Sequence, residues 1–227
     1  MTAESTIPDI HSSSSLADED LILPCCHCIT QEVTTSGAAA VYVGFLHTAA
    51  HWSKDPDVKF AIARASFPPH INIDYVEACL FDAVKQWHGT GVCIRQARPG
   101  EAITFVVAYQ DKPSEAQAYR ALARSFFPSS ELRDRVLFVY NRCFWTQYVK
   151  FMSNVLSHEL GHVLGLRHEF LEDERSMLIR CPNPNSVMNY YNDLSMMKVT
   201  LEDIKGVREF YRLEGRVGNW QIMVVRP

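Results

Sequence analysis

Ser157 to Phe170 reads SHELGHVLGLRHEF, which places His158, His162 and His168, with Glu159 and Gly165, inside one short stretch. On a helix, residues four apart lie on the same face one turn apart, so His158 and His162 can point two imidazoles at one ion. Glu159 is rotated by about 100° from His158, close to such an ion without being forced onto it, as a general base requires. A third ligand six residues after His162 cannot come from the same helix face. The chain must turn first, and Gly165 permits the turn through a left-handed conformation. His168 then closes a site of three histidines. Three protein ligands with an open fourth position for water are the arrangement of a catalytic zinc, expected as one ion per chain.

Working outward, the stretch sits near the end of a helix predicted over Thr146 to Leu164. Upstream, DYVEACLFDAVKQWHGTG has apolar residues at helical spacing (Val76, Cys79, Leu80, Ala83, Val84 and Trp87), a capping-box-like Asp74/Glu77 pair, and Gly89 as a stop. Strands are predicted over Asp57–Ala65, Gly91–Ala97, Ala102–Tyr109 and Arg135–Asn141. The stretch from Ser114 to Ser130 fits either an edge strand with loops or a helix. After His168 the chain reads as irregular to about Val199. TLEDIKGVREFYRL then predicts a last helix, with Thr200 as N-cap, Asp203 at its third position, and Leu201, Ile204, Val207 and Tyr211 as the buried stripe.

The chain has 227 residues, 47% hydrophobic and 21% charged, with a net charge of −4. That is ordinary globular composition, with no basic footprint for nucleic acid or for an anionic membrane surface. The longest apolar run, Gly37 to Leu46, is shorter than the ~18 residues a spanning helix needs. Residues 1–37 read as a flexible arm or pro-segment: polar, Ser-rich and acidic, without the basic and apolar regions of a secretory signal. The expectation is an intracellular protein, or a processed form of a secreted one. Seven cysteines leave at least one unpaired within a monomer. In PCCHC, Pro24 to Cys28, the thiols are too tightly spaced for a usual structural zinc site, and the segment reads as a thiol-rich part of the arm.

HELGHVLGLRH resembles the zinc motif of the metzincin metalloproteases, and NSVMNYY, Asn185 to Tyr191, resembles their Met-turn. Glu169 directly after the third histidine, and Tyr190 two residues after Met188, are similar to astacins. HELGHVLGL and the closing TLEDIKGVREFYRL look matrixin-like. The resemblance implies an α+β metzincin fold: a twisted, mostly parallel sheet on two long helices, one carrying the ligands. The resemblance covers Trp52 to about Leu213; the catalytic domain is read over 38–227, with an N-terminal subdomain to about 165 and a small C-terminal subdomain over 166–227 that is expected to end in a helix. The resemblance further implies that Met188 forms an apolar floor under the metal and that Tyr190, with Tyr191 as the competing candidate, donates to the developing oxyanion. In astacins the residue matching Glu169 meets the processed N-terminus. Some metzincins are kept latent by a pro-segment cysteine in the open zinc position. Cys25, Cys26 or Cys28 could act so, although the flanking residues do not match the matrixin latency sequence; an arm with incidental cysteines is the favoured reading.

The reaction expected is hydrolysis of a peptide bond in a peptide or protein. Glu159 would be general base to a zinc-activated water, with the substrate extended along a sheet edge within Ala116 to Ser125. The alternative is a zinc hydrolase acting on a small amide or peptide-like metabolite. A third class, a binding module keeping the metal for stability, has no need of Glu159.

Overall fold

A computed structural model describes residues 28, 30, 42–114, 120–168, 177–180 and 183–227. Its centre is a five-stranded sheet in the order β4-β3-β5-β7-β6, built from β3 (Asp57–Ile62), β4 (Cys93–Gln96), β5 (Phe105–Gln110), β6 (Ala123–Arg124) and β7 (Val136–Tyr140). The first four strands in that order are parallel, and β6 is antiparallel to β7 at the edge. Two helices, α1 (Ile73–Gln86) and α2 (Met152–Val163), pack against each other beside this sheet. α3 (Leu201–Phe210) follows later in the chain. Two short pairings complete the fold: β1 (Tyr42–Val43) with β8 (Met177–Leu178), and β2 (Thr48–Trp52) with β10 (Trp220–Val225), itself paired to β9 (Arg216–Val217). Among the described residues no helix is long and apolar enough to cross a membrane.

α1 forms where its apolar spacing predicts, and Val76, Cys79, Leu80, Ala83, Val84 and Trp87 are all buried. It begins before Asp74, because the Asn72 side chain caps it by accepting the Tyr75 N–H at 3.2 Å. Asp74 and Glu77 instead face Arg64 on the surface. α2 is buried along almost its whole length, so both faces must be satisfied internally. Indole N–H groups help: Trp87 donates to the Ser157 carbonyl at 2.9 Å and Trp52 to that of Val163 at 2.8 Å. These bonds hold the helix at the two levels that flank its histidines.

Several expectations need correction. α2 proper starts at Met152, not Thr146; two short 3-10 turns, Asn141–Phe144 and Val149–Phe151, carry the chain into it. The chain does not end in a helix. After α3 it turns through β9 and lays β10 parallel to β2, with Gln221 opposite Thr48 and Val225 opposite Trp52. In α3 the buried residues are Asp203, Gly206, Val207 and Phe210, whereas Leu201 is exposed. The inward pull on Asp203, described below, turns the helix away from the purely apolar stripe. The ambiguous segment yields the edge strand β6; residues 115–119 lie outside the described residues.

Candidate metal centre

His158 and His162 leave α2 one turn apart, as the four-residue spacing requires. The helix then closes in a Schellman motif: the Gly165 N–H bonds the His162 carbonyl at 2.8 Å and the Leu166 N–H bonds that of Gly161 at 2.9 Å. Gly165 has φ +95°, and a Cβ there would lie 2.6 Å from the Ala50 carbonyl oxygen and 3.0 Å from the Phe210 ring. The turn thus needs glycine for two reasons, backbone handedness and the close approach of β2. Gly165→Ala is expected to cost about 2–4 kcal/mol, a fall in Tm of roughly 5–15 °C. Gly215→Ala, at φ +65° with open space around it, should cost clearly less. Equal losses on thermal unfolding would show that the approach of Ala50 imposes nothing.

Beyond the turn, His168 comes back to the other two. Its Nε2 lies 3.2 Å from Nε2 of His158 and 3.2 Å from Nε2 of His162. The second ring nitrogens of the α2 pair face carbonyl oxygens: His158 Nδ1 lies 2.7 Å from Val187 O, and His162 Nδ1 lies 2.8 Å from Leu166 O. An N–H at each Nδ1 leaves each Nε2 as a lone pair facing the common centre. All three rings are buried, and burial pushes His162 and His168 well below the usual imidazole range. Neutral imidazole is the ligating form.

A fourth donor comes from Cys28 in the arm. Cys28 is buried, its Sγ lies 3.4 Å from His162 Nε2, and the four donor atoms all lie within 4.8 Å of one another. A tetrahedral zinc with Zn–N of about 2.05 Å and Zn–S of about 2.3 Å has ligand–ligand edges of about 3.3 Å (N to N) and 3.5 Å (N to S). Three edges of the donor set, at 3.2, 3.2 and 3.4 Å, match that polyhedron, and all four donors stay within 4.8 Å of one another, a set of residues that could hold zinc. Without a cation the same thiol is unfavourable as an anion: burial first, then the Glu159 charge, push it well above the ordinary range. A divalent ion among the donors reverses that.

Glu159 sits beside this cluster, fully buried. Its Oε2 accepts a hydrogen bond from Thr30 Oγ1 at 3.0 Å, and Oε1 has no hydrogen-bond partner among the described residues. Burial raises the carboxyl to about 8, against the lowering effects of Cys28 and Thr30. The Thr30 hydroxyl also accepts the Ser125 N–H at 2.6 Å, next to β6, and Cys28 bridges Ala123 in parallel register. Residues 28 and 30 therefore lie along the sheet edge expected for a substrate. Tyr190 donates its hydroxyl to the Cys28 carbonyl at 3.0 Å, and the Tyr190 hydroxyl oxygen lies 3.4 Å from His168 Nδ1. Tyr191 turns away, bonding the Ser186 carbonyl at 2.8 Å. Of the adjacent tyrosines, Tyr190 is the one against the histidines. Met188 lies beneath α2 at Gly161, where a Cβ would overlap its sulfur.

The structure thus brings His158, Glu159, His162, His168, Met188 and Tyr190 together. Cys28, one of the arm's cysteines read as incidental, lies against these histidines. Thr30 carried no signal in the sequence, being one hydroxyl in a polar arm. Cys25, Cys26, Cys181 and Glu169 lie outside the described residues, as does most of the arm.

The family model for matrixins matches residues 31–212. The chain belongs to the matrixin family. Membership makes it a zinc metallopeptidase with the metzincin fold and peptide or protein substrates. The matrixin-like side of the sequence is the one the family match supports, and the astacin-like assignment finds no such support. Cys28 precedes the matched span, and β9 and β10 follow it. No curated protein matches this matrixin.

Proposed function

We propose that the chain is a zinc metalloendopeptidase held closed by its own Cys28. The observation that carries this reading is the convergence of three histidines and a thiol, with donor atoms within 4.8 Å of one another and three separations of 3.2–3.4 Å, beside the buried Glu159 and along a sheet edge. Zinc in this site supplies Lewis acidity toward the scissile carbonyl and the attacking water. Once Cys28 and Thr30 leave, Glu159 takes the proton of that water and delivers it to the leaving nitrogen. The Ser125 N–H, freed from Thr30, pairs with the main chain of an extended substrate. Tyr190, freed from the Cys28 carbonyl, donates its hydroxyl to the developing oxyanion.

The test uses zinc-loaded full chain and its Cys28→Ser variant on unfolded casein, with and without a chelator. Cleavage by the variant that the chelator stops is the expected result. A variant that holds one zinc and leaves casein intact would favour the small-amide alternative. Tyr190→Phe, in the Cys28→Ser background, should leave zinc affinity unchanged and lower kcat roughly 10-fold or more while barely raising KM. Tyr191→Phe should stay within about twofold. A larger loss at Tyr191 would move the oxyanion role to that residue.

A further inference from the structure

We infer that Asp203, on the last helix, is a positioning residue for the metal centre. It acts by fixing the main chain of residues 186–188, whose carbonyl at Val187 orients His158.

Asp203 is the third residue of α3 and forms a capping box with Thr200, accepting the Thr200 N–H at 2.7 Å while Thr200 Oγ1 accepts the Asp203 N–H at 3.2 Å. A capping box needs no more than this, and is ordinarily a surface device. Here the side chain is fully buried, and the carboxylate reaches back to the turn beneath the histidines. Oδ1 accepts from Ser186 Oγ at 2.6 Å and from Asn183 Nδ2 at 3.5 Å; Oδ2 accepts from the Val187 N–H at 3.2 Å and from Thr200 Oγ1 at 2.9 Å. Ser186 Oγ in turn accepts the Met188 N–H at 3.0 Å. The main-chain N–H groups of Val187 and Met188 are therefore tied to one carboxylate, directly or through one hydroxyl.

The other end of Val187 meets the metal site. Its carbonyl faces His158 Nδ1 at 2.7 Å, which sets the tautomer and the ring angle that aim Nε2 at the common centre. Met188 presses on Gly161 between the two α2 ligands. A displacement of the turn thus reaches the first ligand and the helix that carries the second. Helix capping by itself predicts none of this, because Ser186 and Val187 belong to a separate segment.

The inference rests on the zinc reading above, and the test separates the two. Zinc dissociation constants of the full chain are measured by chelator competition at a temperature where near-UV circular dichroism shows every variant folded, with the cobalt absorption spectrum as a second reading. If the unsubstituted chain does not hold one zinc, the metal reading itself fails. Given that it does, Asp203→Asn, which keeps the shape but sets an amide donor against the surrounding donors, should weaken zinc about 10- to 100-fold and shift the cobalt bands. Thr200→Ala, which removes the cap partner and the Asn183 Nδ2 contact at Thr200 Oγ1 (2.9 Å) but leaves the Ser186 and Val187 bonds to Asp203 in place, should lower Tm yet leave zinc affinity within about threefold. Ser186→Ala keeps the capping box whole and should weaken zinc at least fivefold; it carries the test if Asp203→Asn does not fold. Zinc binding within twofold of the unsubstituted chain in Ser186→Ala or in folded Asp203→Asn would overturn the inference. So would Thr200→Ala weakening zinc as much as Asp203→Asn.

Discussion

Glu159→Gln, made in the Cys28→Ser background, is expected to keep one zinc per chain and to lose about 10²–10⁴-fold in kcat. The amide fills the same buried space, so packing on α2 is retained. It cannot accept the proton of the attacking water. The carboxylate it replaces has Oε1 without a partner among the described residues, so no described hydrogen bond is lost at that oxygen. At Oε2 the Thr30 hydroxyl can still donate to an amide oxygen. The change is therefore close to a pure deletion of basicity. Metal analysis and steady-state kinetics on a quenched peptide check it, and activity within about threefold of the parent would remove Glu159 from the role of base.

Cys28→Ser in the full chain should raise kcat/KM on the same peptide by on the order of 10- to 100-fold. A thiol carried on the same chain competes with water and substrate at an effective concentration of ~mM, and a serine hydroxyl is a far poorer zinc ligand at neutral pH. Thr30→Val is the finer probe. It removes the hydroxyl that bridges Ser125 N–H and Glu159 while keeping the side-chain shape and the thiol. Loss of about 1 kcal/mol of hydrogen bonding predicts a gain of roughly fivefold. If zinc-loaded Cys28→Ser is no more active than the unsubstituted chain, Cys28 does not hold the enzyme closed. If it is activated and Thr30→Val is not, the thiol acts without the hydroxyl.

What could be read from the sequence was local. The four-residue spacing of His158 and His162 places both on one helix face whatever surrounds them, because the periodicity belongs to the helix. The glycine at 165 announces the turn because few other residues adopt positive φ cheaply. The same applies to α1, whose apolar spacing returned its buried face residue by residue, and to the Thr200 cap of α3. Apart from the Asn72 cap of α1, the contacts missed were between segments separated in the chain. β10 pairs with β2 across nearly the whole sequence, and no local pattern in Trp220–Val225 names its partner. Asp203 is legible as a capping residue, but its bonds to Ser186 and Val187 exist only because α3 packs under the turn.

The sequence by itself therefore determined the candidate ligands, the proposed base and the helix that carries them, since these follow from spacing and residue chemistry along one element. Tertiary structure alone decided that Cys28 stands at the candidate metal centre, which of two adjacent tyrosines faces it, and what holds the first histidine in place. Each is a choice among chemically equivalent groups, made by where the chain brings them in space, and local periodicity carries no information about that.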